Sequence, residues 1–266
     1  MEPEATRPFR VLRAEACGRK EVLDRIVQEE PLHIVLNGEH LVSLLSLPAM
    51  QKELAIGFLL SEGIISRVED ITSLDVDNET GTVSVRATVD EKAIRDLFQA
   101  RTLTTGCAGG VTGVNLEEPS RCKRINTAMR IPAELIPKRM KEFEKRSSVF
   151  LATGGAHSAA AATLEKIVYF AEDVGRHNAL DKVVGQAALS GDRLSDKILL
   201  CTGRISTEMM VKVIRQKCPI VISRSAPTSR AIELAETFFV TLVGFARGRK
   251  FNVYSCPQRI EWKEVE

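Results

Sequence analysis

The chain has 266 residues, of which 44% are hydrophobic and 27% are charged, a composition typical of a globular protein with a sizeable apolar core. Aromatic residues make up 5% of the chain, which argues against a nucleic-acid surface built on base stacking. The net charge is +2, but residues 204–250 contain nine Lys or Arg and three Glu, a local excess of +6 that suits an anionic ligand.

Cysteine usage and the N-terminal sequence predict a cytoplasmic protein. The cysteines occur singly, without a Cys-x-x-Cys pair, so we expect free thiols rather than a disulfide scaffold. The first residues lack the apolar core of a signal peptide, and no apolar run reaches membrane-spanning length. We therefore expect neither a membrane nor a nucleic acid as partner.

The first part of the chain predicts a small α+β layer after a lead-in and a first strand. Apolar alternation predicts strands at 25–36 and 40–45, which the turn residues Asn37-Gly38 join as a hairpin. A helix should begin at Pro48 and end at Gly63, with Leu54, Phe58 and Leu59 facing inward. Strands at 71–77 and 82–87 and a short helix at 90–99 should follow.

A glycine-rich stretch follows at residues 103–113, with Cys107 among four glycines. Glycine at this density is incompatible with a helix or strand interior, so the stretch predicts a loop that exposes the thiol. An exposed thiol ionises and reacts more readily than a buried one. The loop is equally consistent with an ordinary surface segment whose cysteine is exposed.

The second half of the chain predicts a sheet with helices on its faces. A charged helix at 132–148, with Leu135, Met140 and Phe143 inward, precedes an alternation of strands and helices. The alternating elements are strands at 166–170, 198–201, 220–223 and 240–245, and helices at 177–189, 207–217 and 228–238, for which Ser206 and Ser225 are candidate N-caps. We predict two domains, 1–132 and 133–266, in a mixed α/β fold.

Polar residues follow several of these predicted strands. Asp173 and His177 lie between a strand end and a helix start, where His177 could handle protons or be a hydrogen-bonded structural residue. Arg204 and Arg224 each lie between a strand and a helix N-terminus, the position at which open α/β sheets bind anions such as phosphates.

A cationic stretch lies near the C-terminus. It consists of Phe245, Ala246, Arg247, Gly248, Arg249 and Lys250, and it lies between two predicted strands. It is either a further anion contact or a solvated hairpin tip.

The sequence does not predict a zinc enzyme. A deaminase-type zinc site needs His-x-Glu and a later Pro-Cys-x-x-Cys, whereas Ala159 stands two residues after His157 and no cysteine pair follows. Cys201 and Cys218 lie on or beside predicted core strands, which indicates that they are packing residues.

Four runs of sequence resemble the FdhD family, the formate dehydrogenase accessory sulfurtransferases. They are residues 172–182 (Glu-Asp-Val-Gly-Arg-His-Asn-Ala-Leu-Asp-Lys), 203–209 (Gly-Arg-Ile-Ser-Thr-Glu-Met), 223–228 (Ser-Arg-Ser-Ala-Pro-Thr) and 242–248 (Leu-Val-Gly-Phe-Ala-Arg-Gly). The likeness extends from about residue 20 to Ile260, and the runs occur in the order typical of the family.

The resemblance implies a sulfur carrier. It implies that Cys107 takes sulfur from a cysteine desulfurase as a persulfide and passes it to a molybdenum (or tungsten) bis(molybdopterin guanine dinucleotide) cofactor, before the cofactor enters formate dehydrogenase. The stretch from Phe245 to Lys250 matches the one that the family uses against this cofactor, and Arg204, Arg224, His177 and Asp173 are further candidates for contacting it. Many members carry Cys-x-x-Cys in the loop, whereas the second position here is Gly110.

The resemblance also implies a second domain of three-layer α/β/α architecture, similar to cytidine deaminases without their zinc, and a homodimer. Two other functions remain open on the residues alone. One is a chaperone that binds the guanine dinucleotide cofactor without transferring sulfur, and a weaker one is a hydrolytic deaminase.

Overall fold

A six-stranded and a four-stranded β-sheet organise residues 5–99 and 122–263, which the computed structural model describes. The strands are β1 Thr6–Glu15, β2 Gly18–Val27, β3 Glu30–Leu36, β4 Glu39–Ser46, β5 Ile71–Asp77, β6 Thr82–Ala87, β7 Ile131–Pro132, β8 His157–Ala162, β9 Ile167–Asp173, β10 Ile198–Cys201, β11 Ile220–Ser223, β12 Thr241–Arg247, β13 Lys250–Ser255 and β14 Ile260–Glu261. The helices are α1 Gln51–Ser61, α2 Glu91–Gln99, α3 Leu135–Arg146, α4 Ser148–Thr153, α5 Arg176–Leu189, α6 Thr207–Arg215 and α7 Ser229–Phe238.

The six-stranded sheet has the order β13-β12-β11-β10-β8-β9. Strands β10, β11 and β12 are parallel to one another, and α6 and α7 are the crossovers between them. The loops after these three strands therefore meet at one edge of the sheet, which we call the carboxyl edge. Strand β8 is antiparallel to β10, so His157, at its start, lies at the same edge.

This sheet is covered on both faces, which gives three layers. Successive residues of β10 alternate between two apolar clusters, with Ile198 and Leu200 in one and Leu199 and Cys201 in the other. Helix α3 packs Ile136, Met140 and Phe143 into the first cluster, while α5, α6 and α7 contribute to the second. The mixed α/β fold with a three-layer second half is as the sequence predicts.

The four-stranded sheet, of order β4-β3-β6-β5, connects to the larger one through two crossing helices. Helix α1 lies against α5 so closely that a Cβ atom on Gly57 would fall 1.7 Å from the Asp181 carbonyl oxygen, and one on Gly185 would fall 1.9 Å from the Glu53 carbonyl oxygen. Glycine is required at both positions because any side chain would separate the helices. The apolar cluster that results is continuous across the two sheets.

Most predicted elements are confirmed, and three details are wrong. Helix α1 begins at Gln51 rather than Pro48. Met50 adopts a left-handed conformation (φ 58°), which a right-handed helix cannot include, so helical geometry starts at the next residue. Thr228, not Ser225, caps α7, while Ser206 caps α6 as predicted. The alanine-rich β8 was not predicted, since alanine is a weak strand former and a strand buried on both faces has no alternation. The predicted domain boundary between residues 132 and 133 stays a prediction.

Candidate functional site

The loops of the carboxyl edge are joined by main-chain hydrogen bonds. The Ile205 amide donates to the Ala226 carbonyl at 3.1 Å and the Thr228 amide to the Ile205 carbonyl at 2.9 Å. The Phe245 amide donates to the Ser225 carbonyl at 3.0 Å. The segments after β10 and β11 and the end of β12 therefore form one connected surface, although they are distant in sequence.

The predicted arginines lie on this surface in different states. Arg204 is exposed, whereas the Nε of Arg224 lies 2.9 Å from Oε1 of Glu144, which offsets part of its charge. Arg247 donates from Nε to the Arg224 carbonyl oxygen at 2.8 Å, so it braces the neighbouring loop. Arg249 and Lys250 are exposed beside the turn at Gly248. N–H donors therefore remain available to an anion on four of these five side chains, namely Arg204, Arg247, Arg249 and Lys250.

The end of β12 is distorted where Phe245 turns outward. Phe245 has φ 51°, an unfavourable conformation for a bulky residue, and its side chain is 42% exposed. A register shift lies between Gly244 and Arg247, and a Cβ on Gly244 would fall within 3.1 Å of Tyr254, Ser225 and Pro227. Ala246 is buried and packs in the core, so only its backbone can face a ligand.

The run 172–182 mostly holds the fold together. The Glu172 carboxylate accepts from the Val149 and Phe150 amides at the start of α4, at 3.0 and 2.9 Å. The carboxylate of Asp173 is fully buried, lies 2.6 Å from Lys182 Nζ and accepts from the Leu47 amide at 3.1 Å. Asp173 therefore ties the N-terminal layer to the larger sheet, and its side chain does not face solvent.

A second buried ionic group joins three helices. Lys212 Nζ on α6 lies 2.5 Å from Asp181 on α5 and 3.1 Å from Glu62 at the end of α1. Burial by itself lowers the pKa of Lys212, but attraction by the two carboxylates outweighs it and raises the pKa above its ordinary value. The lysine is therefore charged in the fold.

His177 is a neutral imidazole at the carboxyl edge. Its burial, followed by the positive charges of Lys212 and Arg176, lowers its pKa to about 2. Its Nε2 lies 3.7 Å from Glu208, and its buried Nδ1 has no hydrogen-bond partner among the described residues. A neutral ring beside the loops can orient a polar ligand, but its low pKa and its buried Nδ1 make it a poor proton acceptor.

His157, which the sequence considered only as a metal ligand, belongs to the same site. Its Nδ1 lies 3.3 Å from Thr202 Oγ1, and burial, together with Arg176, lowers its pKa. The Arg176 side chain lies against Gly203, where an added Cβ would fall 2.9 Å from it. The antiparallel pairing of β8 with β10 brings His157 here, and the unpredicted β8 explains why it was missed.

We expect His177 to make the protein less stable in mild acid. Below pH 6.5 the unfolded chain protonates this histidine while the folded chain does not, so stability is lost as pH falls. Between pH 7 and pH 5 the loss from this group is about 2 kcal/mol. Urea unfolding of the His177→Gln variant, measured at pH 7 and at pH 5 beside the native chain, should show a shallower pH dependence by that amount. An unchanged slope in His177→Gln would contradict the assignment.

Four of the thiols that the structure describes are poorly suited to nucleophilic chemistry because they are buried or partly buried, whereas the thiol of Cys17 is exposed. Burial raises the pKa of Cys201 and of Cys218 to about 12, which confirms that they are packing residues. Burial also raises the pKa of Cys122 and of Cys256. Cys107, the predicted persulfide site, and Gly110 lie outside the described residues. No helix within the described parts of the chain is long and apolar enough to cross a membrane.

Comparison with known proteins gives one consistent family. A chain from Wolinella succinogenes called sulfur carrier protein FdhD is 41% identical over 251 residues, covering 93% of this chain and 87% of that relative. The protein of the same name from Bacillus subtilis is 36% identical and covers 98% of this chain and 99% of its own. A crystal structure from Desulfotalea psychrophila, described as a candidate formate dehydrogenase accessory protein, superposes with a TM-score of 0.81 at 26% identity, over 97% of this chain and all of that one. The sequence profile of the FdhD/NarQ family matches residues 27–261, and the chain therefore belongs to the FdhD/NarQ family.

Proposed function

We propose that this protein is a sulfur carrier for the maturation of formate dehydrogenase. In this proposal Cys107 accepts sulfur from a cysteine desulfurase as a persulfide and delivers it to the molybdenum bis(molybdopterin guanine dinucleotide) cofactor. The relatives from W. succinogenes and B. subtilis carry the name sulfur carrier protein, which supports the general role. In this proposal the protein works as a homodimer in the cytoplasm, and the cofactor is the substrate that receives the sulfur.

The observation that carries the proposal is the cationic carboxyl edge. The exposed guanidinium groups of Arg204 and Arg249 and the amine of Lys250 border loops at the ends of parallel strands. This position favours phosphate groups, because arginine and lysine donors supply charge-assisted hydrogen bonds to their oxygens. A dinucleotide cofactor presents several such phosphates, and the exposed ring of Phe245 offers an apolar surface beside them.

The chemistry begins at one thiolate. Cys107 attacks the terminal sulfur of a persulfide on the desulfurase, so that a new S–S bond forms on Cys107 while the old one breaks and the desulfurase cysteine leaves as a thiolate. One thiol is sufficient to hold the sulfur, so Gly110 in place of a second cysteine does not prevent loading. The glycines around Cys107 place little steric restriction on a large donor or acceptor.

His177 and Asp173 take different parts in this scheme. The neutral ring of His177 contacts the bound cofactor and orients it. Asp173 acts from within the fold, because its carboxylate accepts from the Gly175 amide and from the Asn178 side chain, both at 3.0 Å, and so positions the start of α5 on which His177 lies.

Mass spectrometry tests the loading step directly. After incubation with a cysteine desulfurase and cysteine, the peptide that contains Cys107 should gain about 32 Da, the mass of one sulfur atom, and lose it on reduction. The peptides that contain Cys201 and Cys218 should remain unmodified, because those thiols are buried and protonated. Sulfur on other cysteines but not on Cys107 would overturn the assignment.

The cofactor contacts are tested with guanosine diphosphate, which represents one end of the dinucleotide. The double variant Arg204→Gln, Arg249→Gln should bind it at least tenfold more weakly, since each lost charged hydrogen bond contributes about 1.5 kcal/mol or more. Arg193→Gln, an exposed arginine in the connection between α5 and β10, is the matched control and should bind normally. Equal affinities in calorimetry would place the ligand elsewhere.

A further inference from the structure

A cavity of about 460 Å³ lies at the end of the larger sheet that is opposite the carboxyl edge. Its walls are residues 124–130, Phe239 just before β12, and Gln258 and Arg259 after β13. Its volume is within the range of small-molecule binding sites. Thr241 and Arg247, at the two ends of β12, are about 20 Å apart at the rise of a β-strand, so this cavity is separate from the proposed cofactor surface.

Arg259 is a buried cation for which the described parts of the chain supply no counter-ion. The residue is 6% exposed, donates to the Ile125 carbonyl oxygen at 2.8 Å and reaches Thr241 Oγ1 at 3.4 Å. Its Nε–H has no acceptor, and no carboxylate lies within ion-pair distance among the residues that the structure describes. A buried charge normally has an oppositely charged partner, because its desolvation is otherwise uncompensated.

The other described residues of the cavity lining add positive charge and no negative charge. Arg124 and Arg130 are exposed at its border, and none of its lining residues is Asp or Glu. The guanidinium of Arg124 lies 4.9 Å from the centre of the Phe239 ring. The backbone of Phe239 adopts a left-handed conformation (φ 61°). The amide side chains of Asn126 and Gln258 supply both donors and acceptors beside the ring.

We propose that this cavity binds a small organic anion, whose phosphate or carboxylate group supplies the counter-ion that Arg259 lacks. Arg124 and Arg130 attract the anion, Arg259 holds it, and Phe239 packs against its apolar part. The site lies at the opposite end of the sheet from the carboxyl edge, so it provides a second ligand site on the same protein.

Calorimetric titration with pyrophosphate and, separately, with citrate tests the proposal and distinguishes the two anionic groups. The measurements use the full chain carrying Arg204→Gln and Arg249→Gln, which weakens the carboxyl edge. In this background at least one of the two anions should bind, and adding Arg124→Gln and Arg130→Gln should weaken it at least tenfold. Arg193→Gln, added instead, should change nothing.

Arg259→Lys provides a second variant that keeps the buried charge and loses the fork of donors. It should also weaken binding at least tenfold, and circular dichroism checks that it folds. The proposal is overturned if neither anion binds at millimolar concentration, or if the cavity variants bind as tightly as their parent. Failure here would leave the titration of guanosine diphosphate at the carboxyl edge unaffected, so the two proposals are tested separately.

Discussion

Replacing Cys107 by alanine is expected to abolish the maturation of formate dehydrogenase and to leave the binding of guanosine diphosphate unchanged. The variant lacks the sulfur atom on which the persulfide forms, whereas the cations of the carboxyl edge are intact. In cells that depend on this protein, formate dehydrogenase activity should fall at least a hundredfold, in the range expected for loss of a covalent nucleophile. Activity assays in extracts, together with calorimetry on the purified variant, measure both parts.

The matched control is Cys122→Ala. Cys122 is half-buried, and burial raises the pKa of its thiol, so its loss should leave formate dehydrogenase activity within about twofold of the native value. Native formate dehydrogenase activity in cells that carry the Cys107→Ala variant would contradict the proposal that the protein is a sulfur carrier. In that case a chaperone that binds the guanine dinucleotide cofactor, without sulfur transfer, would be the better description.

Replacing Lys212 by methionine is expected to destabilise the fold by about 3–5 kcal/mol. The side chains of Lys212, Glu62 and Asp181 are each 1% exposed, and the lysine is the cation that both carboxylates face. Without it, two buried negative charges remain next to each other, and among the residues that the structure describes the remaining cation within ion-pair distance is Arg215, 3.9 Å from Glu62. Urea unfolding followed by circular dichroism measures the change in the free energy of unfolding. A loss of this size is a large fraction of the total stability of a typical single domain.

Two further variants make this result specific. Lys141→Met, at an exposed position of α3, should change the free energy of unfolding by less than about 0.5 kcal/mol. Adding Glu62→Gln and Asp181→Asn to Lys212→Met should restore part of the stability, since it removes the uncompensated charges. A loss below about 1 kcal/mol in Lys212→Met would show that the ionic group contributes little.

The candidate site was predictable where local sequence determines position. Arg204 and Arg224 were placed at the carboxyl edge from the alternation of strands and helices alone, because a parallel strand followed by a crossover helix always brings its loop to the same edge. The same reasoning placed Phe245 and Arg247 at the end of β12. What it could not show is that Glu144, on α3, pairs with Arg224, since the two residues are 80 positions apart.

Asp173 and His177, in the run 172–182, show most clearly what the sequence could not predict. In sequence, Asp173 and His177 are near neighbours and look alike as candidates for contacting a ligand. In the fold, Asp173 faces Leu47 and Lys182 and is fully buried, whereas His177 borders the loops of the carboxyl edge. The partners of Asp173 are 126 and 9 residues away, so no local pattern distinguishes its structural role from a functional one.

The sequence by itself determined the family, the order of most strands and helices, the excess of cations and the single cysteine of the glycine-rich loop. These depend on residue type and short-range spacing, which the chain carries without folding. Only the tertiary structure decided which polar side chains face inward. It also showed that a nitrogen of His177 has no partner in residues 5–99 and 122–263, and that Arg259 is buried against a cavity to which these residues supply no carboxylate. Burial and charge pairing arise between residues brought together from distant parts of the chain, and they exist only once it has folded.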